Sequence, residues 1–89
     1  MKSKAYEYIL IVEREDVDPK KKTQEFSVRN KKSFDILGHI KWYSSWRQYC
    51  FIPCGDTVFS GGCLSDIINF LSLLKEERKQ GKNSNLWDD

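Results

Sequence analysis

GHIKWYSSWRQYCFIP, residues 38–53, is the segment from which the fold is most readily inferred. Two apolar and aromatic runs, residues 39–43 and 46–52, flank Ser44 and Ser45. Trp, Tyr, Phe and Ile favour a pleated, half-buried surface, and two such runs separated by two small polar residues indicate a β-hairpin. Ser-Ser is a weaker turn sequence than Asn-Gly or Asp-Gly, so a longer loop that takes in Tyr43 or Trp46 is the alternative.

Side chains alternate between the two faces of a strand, so each strand of the hairpin offers one candidate core face. We predict that the core face carries Gly38, Ile40, Trp42, Trp46, Gln48, Cys50 and Ile52. The other face then carries His39, Lys41, Tyr43, Arg47, Tyr49 and Phe51, which include several hydrogen-bond donors and aromatic rings. A shift of one residue in register would exchange the two faces.

Two interpretations of this donor-rich face remain open. In the first, Tyr and Arg side chains cover a solvated sheet surface, with their stems lying on apolar groups. In the second, the face binds a ligand, because Arg47 offers a planar donor fork that suits phosphate or carboxylate and Lys41 adds charge. The rings that would stack on a base are Tyr43, Tyr49 or an exposed Trp42 or Trp46.

The rest of the chain supplies strands before the hairpin and a helix after it. Residues 5–13 are apolar on both sides in the middle, which is typical of a central strand, and residues 23–29 alternate clearly. The helical spacing of Leu64, Ile67, Ile68, Leu71 and Leu74 predicts an amphipathic helix that packs on the sheet. The sequence therefore predicts an α+β fold, a four-stranded antiparallel meander with one C-terminal helix on one face (β-β-β-β-α). We expect a single domain over residues 1–82 and a polar tail over residues 83–89.

A glycine pair, Gly61 and Gly62, precedes the predicted helix. Backbone N–H groups at a helix start can bind an anion, although the spacing here differs from that of the known glycine-rich phosphate loops. The simpler interpretation is a capped helix start. The alternative is that Gly61 and Gly62 hold a phosphate together with Arg47, which would make them part of the same ligand site.

Composition sets limits on the class of protein. The chain has 89 residues, 39% of them hydrophobic, and a net charge of +2. This charge is smaller than that expected of a nucleic-acid-binding domain. A chain of this length buries only roughly 60–65% of its unfolded surface. Dimerisation would add buried area, so we expect a homo-oligomer. We also expect a cytoplasmic protein with reduced thiols, because we find no signal peptide and no apolar run long enough for a membrane span.

Metal binding and catalysis find little support in the sequence. Cys50, Cys54, Cys63 and His39 lack the spacing of the usual zinc sites. A Cys63–His39 nucleophile pair would need a third group to orient the base, and no such group is evident. We therefore predict no metal, no cofactor and no catalytic residue, which means that we expect a binding protein rather than an enzyme.

IKWYSSWRQYCF, residues 40–51, together with TVFSGGCLSDIINFL, residues 57–71, resembles small proteins encoded by bacteriophages and prophages. The resemblance covers about the C-terminal half of the chain, and it carries no functional residue with it. It implies a compact, non-enzymatic accessory factor that acts on a host system. Phage proteins that sequester nucleotide-derived immune signals, and phage inhibitors of host nucleases, are of this size.

These observations lead to three hypotheses. In the first, the protein captures a phosphorylated or nucleotide-like ligand through Arg47, Lys41 and the neighbouring rings. In the second, it is an inhibitor or adaptor that binds a host protein, since Trp, Tyr and Arg are also enriched at binding hot spots. The third is single-stranded nucleic-acid binding, which would show a strong salt dependence.

Overall fold

The described part of the chain, residues 2–16, 20 and 23–80 of a computed structural model, contains one antiparallel sheet followed by one helix. The sheet has five strands in the order β1-β2-β3-β4-β5. The elements are β1 (Ser3–Ala5), β2 (Ile9–Glu13), β3 (Phe26–Asn30), β4 (Ile36–Tyr43), β5 (Gln48–Pro53) and α1 (Gly61–Gln80). The predicted α+β meander with a C-terminal helix is confirmed, but the predicted number of four strands is wrong. The predicted polar tail, residues 83–89, lies outside the described residues.

The additional strand is β1, because a tight turn breaks the strand that was predicted over residues 5–13. The Tyr6 N–H donates to the Ile9 carbonyl at 2.8 Å, and the chain reverses so that β1 pairs antiparallel with β2. The Tyr8 N–H donates to the Asp66 carboxylate of α1 at 3.2 Å. A hydrogen bond between segments so distant in the sequence leaves no local pattern. The distribution of apolar residues over residues 5–13 therefore predicted one continuous strand.

The core lies between the sheet and α1. Its rings meet edge to face, since the centroids of Phe26 and Phe70 are 5.0 Å apart with an interplanar angle of 78°. Burial of such apolar surface is the main favourable term in folding. The buried apolar side chains are Ile9, Ile11, Phe26, Val28, Ile40, Ile67, Phe70 and Leu74.

The stripe that the helix presents to the sheet overlaps the predicted stripe but does not include all of its residues. Ile67, Phe70 and Leu74 follow one another at helical spacing and are buried. Leu64 and Ile68 were predicted to join them but are 45% and 60% exposed, because they lie along a neighbouring line of the helix surface. Among the described residues no helix has the length and apolar character needed to span a membrane.

The predicted β-hairpin is confirmed, with a four-residue turn over residues 44–47. The Arg47 N–H donates to the Tyr43 carbonyl at 2.8 Å, which closes the turn. The prediction of a two-residue turn at Ser44 and Ser45 is therefore wrong. The alternative, a longer loop that includes Trp46, is the one formed. Arg47 itself has a positive φ of 54°, a conformation that favours glycine over residues with a Cβ atom.

The predicted core face of the second hairpin strand is also wrong. Ile40 pairs with Phe51, and Trp42 pairs with Tyr49. Residues directly opposite each other in an antiparallel ladder lie on the same side of the sheet. Tyr49 and Phe51 therefore join Ile40 and Trp42 beneath α1. The open face, which is the side of the sheet away from α1, instead carries Cys50 and Ile52, which were predicted to be core residues. Gln48, also predicted to be a core residue, is exposed at the start of β5.

Gly38 lies at a point of close contact between β4 and β5. A Cβ atom at this position would lie 2.6 Å from both the Ile52 carbonyl oxygen and a ring carbon of Phe51. We expect Gly38→Ala to lower the free energy of unfolding by about 1–3 kcal/mol, because backbone or ring atoms must move to admit the methyl group. Urea denaturation measures the change.

Gly61→Ala is the matched control, since a Cβ atom at Gly61 would meet nothing within 4 Å. Ala also favours a helix, so this variant should be as stable as the wild type or more so. Equal stability of Gly38→Ala and the wild type would contradict the steric explanation.

Tyr6 gives stability a pH dependence in alkaline solution. Burial, and after it the nearby Asp66 carboxylate, raises the pKa of Tyr6 from 10.0 to about 12. Because the folded state holds the proton more tightly than the unfolded state does, the stabilisation is complete below pH 10 and is lost as the pH rises towards 12.

We expect the melting temperature of Tyr6→Phe to fall less steeply than that of the wild type over this alkaline range. Thermal unfolding followed by circular dichroism between pH 9 and 12 checks this expectation. Parallel profiles for the two proteins would show that Tyr6 does not carry the effect.

Candidate functional site

A cleft of about 430 Å³ lies between the end of the hairpin and the second half of α1. We call it the hairpin–helix cleft. Its volume is within the usual range for small-molecule sites, roughly 300–1,000 Å³. The hairpin contributes Trp42, Arg47, Gln48 and Tyr49, and α1 contributes Ile68, Leu71, Ser72, Lys75, Arg78 and Lys79.

Two aromatic rings form the hairpin wall of the cleft. Trp42 and Tyr49 are cross-strand partners, and their rings meet edge to face with centroids 5.5 Å apart. The backbone N–H of Gln24 donates to the Tyr49 hydroxyl at 3.3 Å, which fixes the ring from the far side. Burial raises the pKa of Tyr49, so this wall of the cleft is neutral at physiological pH.

Four cationic side chains surround these rings: Arg47, Lys75, Arg78 and Lys79. The three on α1 are spaced i, i+3 and i+4, so they are neighbours on one face of the helix. Arg78 and Lys79 are in the last turn of α1, where the helix dipole favours positive charge, but the dipole gives no reason for Arg47. Among the described residues that line the cleft, none is acidic.

Arg78 is held in place by the hairpin wall. Its guanidinium carbon lies 3.9 Å from the centroid of the Trp42 ring, which is the geometry of a cation–π contact. The contact links the C-terminal end of α1 to β4. It also fixes the position of one positive charge at the edge of the cleft, because a stacked guanidinium has fewer accessible rotamers than a solvated one.

The structure brings three of the predicted ligand-binding residues into the cleft, namely Trp42, Arg47 and Tyr49. Lys41 and Tyr43 lie on the open face, because they alternate with Trp42 along β4. The prediction that Lys41 and Tyr43 share a face with Arg47 and Tyr49 is therefore wrong.

Trp46 is in the turn, on the outside of the hairpin. It is 67% exposed, and its ring centroid lies 5.1 Å from that of Tyr43. The predicted core position of Trp46 is wrong, since the four-residue turn carries its side chain away from α1 and the buried interior.

Gly61 and Gly62 lie at the opposite end of α1 from the cationic residues. Lys75 follows Gly61 by 14 positions along the helix, which corresponds to ~20 Å. A Cβ atom on Gly62 would overlap the Tyr8 ring, so this glycine permits a close contact between α1 and the turn after β1. The Cys63 N–H donates to the Ser60 hydroxyl at 3.2 Å, and the simpler interpretation of a capped helix start is the one observed.

Sequence reasoning missed the cations of α1. Lys75, Arg78 and Lys79 have a recognisable helical spacing, but the predicted ligand-binding residues did not include them. What the sequence did not reveal is which pair of strands the end of α1 crosses. The contact between Arg78 and Trp42 depends on that crossing.

A second depression, of about 710 Å³, lies on the open face of the sheet. It is larger, but its charged groups have mixed signs and Arg14 is already paired with carboxylates. Arg14 donates to Asp16 at 2.9 Å and to Glu25 at 3.4 Å. The hydrogen bond from Arg14 lowers the pKa of Asp16. A cation that is already paired with carboxylates attracts an anionic ligand less strongly, so the hairpin–helix cleft is the better candidate site.

His39 also lies at this open-face depression. Its Nδ1 atom is 3.9 Å from the sulfur of Cys54, whereas the pair considered from the sequence, and set aside there, was His39 with Cys63. No group of three or more His, Cys, Asp or Glu side chains suited to a metal ion occurs within the described parts of the chain.

The fold and the cleft together define a small α+β protein, built on one antiparallel sheet and one helix, with a basic aromatic cleft. Over 62 residues the chain is 40% identical to the uncharacterized 9.3 kDa protein of Acholeplasma phage L2. The alignment covers 70% of this chain and 80% of the phage protein. The chain belongs to the family of this phage protein, which confirms the resemblance to small phage proteins. No family model and no solved structure matches the sequence.

The contact between Trp42 and Arg78 can be measured by a double-mutant cycle. We expect Trp42→Leu and Arg78→Gln to be non-additive in the free energy of unfolding, with a coupling of about 0.5–1 kcal/mol, because each variant removes the same cation–π contact. Urea denaturation of the wild type, the two single variants and the double variant gives the coupling. Strictly additive changes would show that the contact contributes nothing to stability.

Proposed function

We propose that this phage-type protein binds a phosphorylated, nucleotide-like ligand in the hairpin–helix cleft and sequesters it, without catalysing a reaction. The observation that supports this most directly is the lining of the cleft. It combines four cations with two aromatic rings, and none of its described residues is acidic. The same combination suits each part of a nucleotide, since phosphate binds cations and a base stacks on rings.

The cations supply the electrostatic part of the proposed binding. Arg47 and Arg78 offer donor forks that match phosphate oxygens, while Lys75 and Lys79 act as compact point charges. Charge-assisted hydrogen bonds are about twice as strong as neutral ones. The partly enclosed position between α1 and the hairpin reduces screening by solvent relative to a flat surface.

The aromatic rings and the apolar side chains of α1 supply the non-electrostatic part of the proposed binding. Stacking of a base on an aromatic side chain contributes about 1–3 kcal/mol. Tyr49 is half-buried and held by Gln24, so little entropy is lost when a base contacts its ring. Ile68 and Leu71 provide apolar contacts from α1 on the other side of the cleft.

Membership of a phage protein family gives the proposed sequestration a biological context. Phage accessory proteins act on a host system, and a small binding protein made in quantity can remove a nucleotide-derived immune signal stoichiometrically. The groups that line the cleft are suited to holding such an anion. We accordingly propose evasion of host defence as the context, with a homo-oligomer as the working state.

A second candidate function is inhibition of a host protein such as a nuclease. The exposed rings of Trp46 and Tyr43 favour it, because they lie together at the tip of the hairpin and aromatic residues are common at binding hot spots. Pull-down from host lysate with the wild type and with Trp46→Ser distinguishes it. A stoichiometric protein partner that Trp46→Ser loses would favour inhibition over ligand capture.

Isothermal titration calorimetry with a panel of mono- and cyclic nucleotides tests the proposed function. We expect at least one nucleotide to bind the wild type, and Lys75→Gln to weaken that binding about five- to tenfold through loss of one charge-assisted contact. Binding should also weaken as salt is added, but less steeply than for a single-stranded nucleic acid that contacts many cations.

Lys41→Gln is the matched control for this experiment. It removes the same charge from an exposed lysine, but from the open face of the sheet. We expect its affinity to remain within twofold of the wild type. A loss at Lys41 with none at Lys75 would move the site to the open face, and no binding of any nucleotide would overturn the proposal.

A further inference from the structure

We infer that the ligand of the hairpin–helix cleft carries two or more linked phosphate groups, as in a nucleoside di- or triphosphate. The inference rests on the proposed function and specifies its ligand. It depends on the number and arrangement of the cations, and on the order in which apolar and cationic side chains follow one another along α1.

The charge of the cleft exceeds what one phosphate can balance. A phosphate monoester carries about −1.5 to −2 at neutral pH, whereas four cations line the cleft and none of its described lining residues is acidic. A single phosphate would leave like charges close together, at a cost in electrostatic energy. Two or three linked phosphates match the positive charge more closely.

The cations are also spread along the helix. Lys75 and Lys79 are four positions apart on α1, which places their Cα atoms ~6 Å apart along the helix axis. Contact of both ammonium groups with one phosphate would draw two like charges together, whereas a chain of linked phosphates can contact each ammonium group separately. Arg78 lies on the same face of the helix and is fixed in position by the Trp42 ring, with its guanidinium carbon 3.9 Å from the ring centroid.

Along α1, the lining of the cleft changes from apolar to cationic side chains. Ile68 and Leu71 come first along α1, and the three helix cations begin at Lys75. A nucleoside polyphosphate has the same order, with an aromatic base at one end and charge at the other. We therefore place the base towards Leu71 and Tyr49, and the phosphates towards Arg78.

Arg47 is the one cation of the cleft that the hairpin contributes, and its backbone is strained. Its φ of 54° is unfavourable for a residue with a Cβ atom and would suit glycine. Replacement of Arg47 by glycine relieves the backbone strain, which should raise stability. The same replacement removes a cation, which should lower the affinity for the ligand. Arg47→Gly therefore separates a structural role from a binding role.

The test is calorimetric titration of the full chain, in buffer without divalent cations, with a nucleoside and its mono-, di- and triphosphate. We expect the affinity to rise about three- to tenfold with each added phosphate, because each one gains a further charge-assisted contact. Inorganic triphosphate serves as the probe without a base. It should bind more weakly than the nucleoside triphosphate.

We expect Arg47→Gly to lose about five- to tenfold in affinity for the triphosphate, while its melting temperature equals or exceeds that of the wild type. Lys41→Gln, on the open face, should keep the full dependence on phosphate number. These two variants show whether a loss of binding reflects the cleft itself or a damaged fold.

Each contrary result has a distinct meaning. If a monophosphate binds as tightly as the triphosphate, the inference is overturned, although nucleotide capture itself stands. If inorganic triphosphate binds as tightly as the nucleoside triphosphate, the assignment of a base to the apolar end is overturned. If none of the nucleotides binds, the proposed function fails and the inference fails with it.

Discussion

A continuous series of ring contacts joins the core of this protein to its surface, and the cleft depends on it. Phe70 of α1 meets Phe26, and Phe26 in turn lies edge-on to Tyr49, with centroids 6.4 Å apart. Tyr49 contacts Trp42, and Trp42 carries the guanidinium of Arg78. The packing that holds α1 on the sheet thus also sets the distance between the hairpin rings and the cations of the helix.

Local patterns predicted the elements well and their mutual arrangement poorly. The helix and the hairpin depend on the periodicity of neighbouring residues, and both were predicted. The faces of the hairpin were assigned incorrectly on the second strand, because the pairing of Trp42 with Tyr49 is a property of two strands together. The turn after β1 was missed for a related reason, since its hydrogen bond from Tyr8 goes to Asp66 of a distant helix.

The candidate site shows the same division. Residue types predicted a site that combines cations with aromatic rings, and the cleft contains both. The anionic, aromatic ligand itself stays a prediction. The residues themselves were only partly foreseen, since Arg47 and Tyr49 line the cleft while Lys41 lies on the open face. The helix cations Lys75 and Lys79 entered the site only when the position of α1 was known. The cleft is formed by residues of two elements, the hairpin and α1, so a sequence pattern within either element does not reveal it.

The close approach of Gly62 to the Tyr8 ring has a consequence for how sequences in this family can diverge. The two positions share one volume, because a methyl group on residue 62 would occupy the space that the ring now fills. A relative with a larger residue at position 62 therefore needs a smaller residue at position 8, a ring at position 8 that is turned away, or a displaced helix start. We expect the two positions to change together, so that a pair separated by 54 residues evolves as a single unit.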